Sequence, residues 1–178
     1  MCTLRLSRFR IPFLAAIISV IACQASGCFS GSARMAAEGV CVTATVHAQF
    51  LTEVSRRAGW TDDEIASFPQ LRIYDTLGRL IYIGHDGYAS AQVVSGLPED
   101  VKARSPIIGA ASLDSVMEAF PEFHQQRMTI TNHSGYTVIS VLLDGCHGCT
   151  IQEGALDSTR PQLLKRGVNL LTVQVLHP

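Results

Sequence analysis

The sequence predicts an α/β domain, and three observations carry that expectation. Five runs dense in β-branched and apolar residues read as strands: residues 40–46, 71–75, 79–83, 136–143 and 168–176. Between most of them lie segments whose apolar residues recur at helical spacing. The last two runs flank a Cys-x-x-Cys and a helical segment, and the length of that unit suits a right-handed crossover between parallel strands.

The first strand, 40–46, is β-branched at five of its seven positions. A helix is expected over 47–58, where Phe50, Leu51, Val54 and Ala58 share a face and Gly59 stops it. Thr61 and Glu64 form a capping box that opens a second helix, 62–68. Pro69 introduces the clearest hairpin, 71–75 and 79–83, with Gly78 at the left-handed position of the turn. Residues 84–87 close it, and 89–95 read as a short helix. Pro98 and Pro106 mark loops. Ser112 caps a helix with Leu113, Val116, Met117 and Phe120 on one face, ended by Pro121. Residues 127–131 read as a strand, 132–135 as a turn, and 136–143 as a buried strand. Residues 150–166 are expected to be helical in part, with Pro161 kinking the helix or starting a second piece. Gly167 ends it, and 168–176 is the last strand.

Composition narrows the function classes. With 47% hydrophobic and 16% charged residues, the chain has the makings of a packed core rather than a disordered tail. The formal net charge is -1, and no basic run lies beyond the extreme N-terminus. Nucleic-acid binding therefore has no electrostatic support.

The N-terminus reads as an export signal. Arg5, Arg8 and Arg10 precede an apolar core at 11–22, and small residues follow. That core is too short for a membrane-spanning helix, which needs roughly 20 apolar residues. Val20-Ile21-Ala22-Cys23 resembles a lipobox. On that reading residues 1–23 are signal and lipidation site, and Cys23 becomes a lipid anchor to the membrane. Simple secretion, with cleavage near Ala25, is the other outcome. Residues 24–39 read as a tether and 40–178 as the single domain. Either way the domain is expected outside the cytoplasm, in the periplasm, where disulfides persist.

Cysteine usage then points to one place. Cys2 is lost with the signal and Cys23 is lipidated or lost. Cys28 falls in the tether and Cys41 in the first strand. Cys146 and Cys149 are the only closely spaced pair. The turn residues Asp144-Gly145 follow an apolar strand and the dithiol follows them, so Cys146 is expected at a helix N-terminus. Unpaired N–H groups and the helix dipole stabilise a thiolate there. Exchange needs one such thiolate and a second thiol near enough to resolve a mixed disulfide. His147 can add positive charge beside Cys146, and Asp144 can tune it or shuttle a proton. A metal reading would add His147, His85, His133 or His177 to the two cysteines, and a soft Cu(I) site suits that set better than zinc. Haem attachment is excluded, because Thr150 stands where a histidine is required. His85-Asp86 is either an acid–base pair or loop surface. Asp62, Asp63 and Glu64 read as a capped, solvated first turn.

From residue 138 onward this order resembles the thioredoxin-like superfamily: strand 138–143, Cys146-His147-Gly148-Cys149, helix, strand 168–176. The resemblance implies a central sheet flanked by helices. It makes Cys146 the attacking cysteine and Cys149 the resolving one, with protein thiols or disulfides as substrates, a redox partner protein, and no cofactor. In that family a cis proline precedes a strand that enters a hairpin and faces the dithiol. Phe68-Pro69-Gln70, ahead of the 71–83 hairpin, looks like that element, which would place Pro69 at the site. An alternative makes this hairpin the N-terminal extension of membrane-tethered relatives. The sequence departs from the pattern in three ways. Asp144-Gly145 replaces the aromatic before the first cysteine, the central dipeptide lacks proline, and the family's usual second half does not follow the last strand. Either the fold is permuted, with residues 40–118 supplying that half, or the chain is an incomplete relative. The expected function is thiol–disulfide oxidoreduction. The competing one is a non-catalytic module whose dithiol is structural or binds copper.

Overall fold

The computed structural model describes residues 38–97, 99–132 and 135–177. The export signal, Cys23, Cys28, nearly all of the tether, Pro98 and His133 lie outside the described residues.

In chain order the elements are β1 (Cys41–His47), α1 (Ala48–Arg57), α2 (Asp62–Ile65), β2 (Gln70–Tyr74), β3 (Leu80–Gly84), α3 (Gly87–Ser95), a 3-10 turn (Glu99–Val101), α4 (Leu113–Ala119), α5 (Pro121–Asn132), β4 (Thr137–Leu143), α6 (His147–Lys165) and β5 (Asn169–Leu176). The five strands make one sheet in the order β1-β5-β4-β2-β3. β5 is parallel to both β1 and β4, while β2 is antiparallel to both β4 and β3. The fold is thus α/β with a mixed sheet, and α6 makes the crossover from β4 to β5.

The register gives the sheet two distinct ends. At one, Cys41 pairs with Leu170, Leu170 with Val138, Val138 with Ile73, and Tyr74 with Leu80. Here the chain enters β1 and the β2–β3 hairpin turns. At the other, His47 pairs with Leu176, Leu143 with Val175, Gln70 with Val141, and Leu71 with Gly84. The dithiol lies beyond this second end.

Strand alternation divides the core between the two faces. One face buries Trp60, Tyr74, Phe120, Phe123, Ile139 and Val173, with α1, α4 and α5 over it. The other buries Leu71, Ile73, Val138, Leu156, Leu163 and Leu170, with α3 and α6 over it. Each such side chain contributes about 1.5–3 kcal/mol when fully buried. β4 lies between two strands with helices on both faces, so its β-branched run is buried throughout except at Leu143.

Most expected elements are present within a residue or two, and the hairpin turn has Gly78 at φ 72° as expected. Four details differ. Residues 127–131, expected as a strand, belong to α5. Pro121 does not merely end the preceding helix but opens this one, where its missing N–H is not needed. Burial of Phe123 and Ile130, seven residues apart and so on one helical face, outweighs the local β-propensity. Arg127 adds ion pairs to Asp114 at 3.2 Å and Glu118 at 3.0 Å on α4. The capped helix at Thr61 ends at Ile65 rather than Phe68, since residues 66–69 must turn back toward the sheet. And α6 starts at His147, runs 19 residues and contains Pro161.

Candidate functional site

The site is built by a tight turn on the end of β4. The Asp144 N–H still donates to Val175 C=O of β5 at 3.1 Å, and the Cys146 N–H donates to Leu143 C=O at 3.2 Å. Between them Gly145 takes φ 76°, which a side chain would resist. Cys146 has an extended backbone and is the N-cap of α6, its Sγ accepting the Cys149 N–H at 3.1 Å. A sulfur thus fills the place an N-cap hydroxyl or carboxylate usually takes.

Cys146 and Cys149 are joined as a disulfide, with Cα atoms 5.1 Å apart, inside the normal range for such a bond. The two sulfurs are not equivalent. Cys146 is half-buried, whereas Cys149 is only 3% exposed, and its Sγ accepts the Leu143 N–H at 3.3 Å. His147 is exposed beside them. The outer sulfur therefore meets a long helix's N-terminus and solvent, while the inner one meets backbone N–H and core.

Gly148, between the cysteines, is pressed from two sides. A Cβ there would lie 3.0 Å from Cδ of Pro69, which is buried and follows a cis Phe68–Pro69 peptide. From the other side Gly87, the first residue of α3, lies so close that a Cβ on it would overlap the Gly148 carbonyl. The fold thus brings Pro69, from the start of the hairpin, against the turn that already holds Asp144, Cys146, His147 and Cys149.

His85 and Asp86 also arrive at this end, just ahead of α3, and both are exposed. Asp86 is the N-cap of α3, accepting the Ala89 N–H at 2.8 Å. His177 follows β5 at the same end. Among the described residues no group of three or more His, Cys, Asp or Glu side chains is placed to hold a metal ion. Cys41 is disulfide-bonded too, and any role of Cys28 lies outside the described residues. No described helix is long and apolar enough to cross a membrane.

Two supporting groups were not visible in the sequence reading. Gln152 is fully buried, and its Nε2 donates to Gln70 C=O at 2.8 Å and to Ser140 Oγ at 2.8 Å. It fixes the first turns of α6 to the strand leaving Pro69. A glutamine on the buried stripe Cys149, Gln152, Leu156, Leu163 is the signal that could have revealed it. The second is Arg72, fully buried in the middle of β2. Its guanidinium lies 4.4 Å over the Trp60 ring, bonds Gln70 Oε1 at 3.2 and 3.3 Å, and pairs with Glu64 at 3.4 Å. The Gln70 side chain in turn donates to the Glu64 carbonyl. Burial works to raise the Glu64 pKa, but the Thr61 N–H and the Arg72 charge outweigh it and hold the carboxyl below its ordinary value. Burial pushes the neighbouring Tyr74 phenol up to about 12, against the pull of Arg72. These contacts bracket residues 64–72, and with them Pro69.

No family model matches the chain, and neither does any curated protein or solved structure.

Proposed function

We propose that the protein is a thiol–disulfide oxidoreductase working outside the cytoplasm, on a permuted thioredoxin-like fold. One observation carries the reading: Cys146 caps α6, with the Cys149 N–H on its sulfur, while Cys149 is buried three residues on. That is the asymmetry a dithiol needs. One sulfur is reachable and stabilised as thiolate by N–H groups and dipole, and the other is held in reserve. The fold reading is supported by the sheet order. It brings the proline-led hairpin β2–β3 and its helix α3 beside the β4–dithiol–α6–β5 unit, although they precede it in the chain. The packing of Pro69 against Gly148 agrees with what the resemblance implies.

In the reducing direction, the Cys146 thiolate attacks one sulfur of a substrate disulfide. The Sγ–S bond forms as the substrate S–S bond breaks, and one substrate thiolate leaves. Cys149 loses its proton and attacks Cys146 Sγ, releasing the second substrate thiolate. Two electrons pass to the substrate, and the protein is left with the disulfide seen here. In the oxidising direction a substrate thiolate attacks Cys146 Sγ, and the same steps run backward. His147 and Asp144 flank Cys146 in the turn and can influence its charge, and Pro69 packs against Gly148 between the two cysteines.

The test is a Cys149→Ala variant, which leaves Cys146 able to form a mixed disulfide but unable to resolve it. Partner proteins should accumulate as adducts on this variant and not on Cys146→Ala. The unmodified protein should reduce insulin disulfides. Absence of both adducts and activity would leave a structural disulfide. Copper recovered stoichiometrically with the reduced protein, and lost in Cys146→Ala, would favour a binding module.

A further inference from the structure

The end of the sheet opposite the dithiol carries an apolar surface that the proposed chemistry does not use. Among the described residues the large exposed hydrophobics are Phe50, Leu77, Tyr88, Ile107 and Ile108. Phe50 and Tyr88 sit in the opening turns of α1 and α3, toward the dithiol end. The other three gather at the hairpin end: Leu77 is 72% exposed, Ile107 41% and Ile108 99%. They lie on two segments that are tied together. The Ile107 N–H donates to Leu80 C=O at 2.8 Å, and the Leu113 N–H donates to Gly78 C=O at 2.9 Å.

The loop is unusual in composition. Residues 105–112 read Ser-Pro-Ile-Ile-Gly-Ala-Ala-Ser without a charge, preceded by Lys102 and Arg104. An isoleucine held fully in water at its tip has no folding role. Lys102 pairs with Glu99 at 3.2 Å and the Arg104 guanidinium lies 4.7 Å over the Tyr82 ring, so the apolar tip itself is what the loop presents. The rim charge is mixed and paired, with Arg79 on Asp75 at 2.7 Å in the turn that carries Leu77, and with Arg166 3.9 Å from Glu99, so apolar contact rather than charge sets the character of this surface.

The occupant is indicated by where the chain comes in. Residues 1–37 lead into the domain at this same end: the Gly39 N–H donates to Leu164 C=O at 2.7 Å and Val40 C=O accepts the Leu170 N–H at 2.7 Å. That leading sequence contains Cys23, the expected lipid anchor once the signal ahead of it is cleaved, and the inference rests on that reading. We infer that the hairpin end of the domain rests on a lipid bilayer. Ile108, Ile107 and Leu77 enter the interfacial layer, and the dithiol faces away from the membrane toward soluble partners. Three side chains orient a tethered domain and do not hold it there alone, just as one lipid chain gives only marginal binding. This inference stands apart from the redox reading, since it concerns the other end of the sheet and is read without thiol chemistry.

Bromine-labelled lipids in phosphatidylcholine vesicles with a minority of phosphatidylglycerol test it on the full chain. Tryptophan is placed at Ile108→Trp or, as the opposite-end control, Tyr88→Trp. The native Trp60 is buried and supplies a constant background. Fluorescence of the Ile108→Trp protein should be quenched several-fold more than that of the Tyr88→Trp protein. Equal quenching, stronger quenching at Tyr88→Trp, or none at either position would overturn the inference. So would an Ile108→Ser variant that turns a dimer into a monomer in lipid-free solution, because the surface would then belong to a second copy.

Discussion

The turn at residues 143–149 and the cluster around Arg72 are both polar insertions into an apolar sheet, and they are built in opposite ways. The turn is local: seven consecutive residues supply the glycine, the cap and both sulfurs, and they leave one sulfur facing outward. The Arg72 cluster is assembled from α2, the loop before it and β2, and it turns a charge inward under Trp60, Glu64 and Gln70. On the proposed redox reading, chemistry and stability are separable here. A reactive pair needs an accessible atom in a stabilising field. A buried cation needs every partner in place, and losing one leaves a charge in low dielectric.

That separation can be broken by substitution. Arg72→Ala removes a fully buried side chain and the partner of Glu64, so stability should fall by about 3–5 kcal/mol. Chemical denaturation measures this, and thiol exchange assayed well below the midpoint should persist. Loss of exchange in a folded Arg72→Ala protein would mean the two regions are one unit. Gln152→Ala should cost about 1–3 kcal/mol, since Gln70 C=O and Ser140 Oγ lose their buried donor. Because Gln152 joins α6 to β2, this variant should also slow exchange, and unchanged kinetics would restrict Gln152 to the scaffold. Replacing both Cys146 and Cys149 with serine should do the reverse of Arg72→Ala. Exchange vanishes, while the loss of so short a covalent loop lowers stability by only about 2 kcal/mol.

The smallest effect is in the acid response. Glu64 has a lowered pKa when folded, so its contribution is full above its unfolded value near 4.5 and is lost as pH falls through the folded value. Glu64→Gln should cost about 1 kcal/mol at neutral pH and flatten the decline in stability below pH 4.5. An identical acid profile in the variant would mean that other carboxylates set it.

The same contrast explains what was legible in the chain. Asp144, Gly145, Cys146 and Cys149 lie within one short stretch, and the arrangement follows from turn, cap and thiol chemistry at short range. Pro69 could be placed at the site only through a resemblance, because it meets Gly148 from a distant part of the chain. Arg72 stands between Leu71 and Ile73 in the sequence. Nothing local says that Trp60 and Glu64 will fold over it and enclose it. Residues 127–131 failed for the same reason: Thr129, Ile130 and Thr131 favour a strand locally, but Phe123 and Ile130 are buried on one helical face. Gln152 lay in a segment expected to be helical only in part, and its partners on two strands reveal its role.

The reduction potential of the Cys146–Cys149 pair, measured by equilibration with glutathione of known poise, tests the central claim most directly. A dithiol at a helix N-terminus beside His147 should have a stabilised reduced form, and the account predicts a potential well above about -300 mV, within reach of exchange with protein thiols. A potential below about -300 mV would contradict the account and make the bond a structural one.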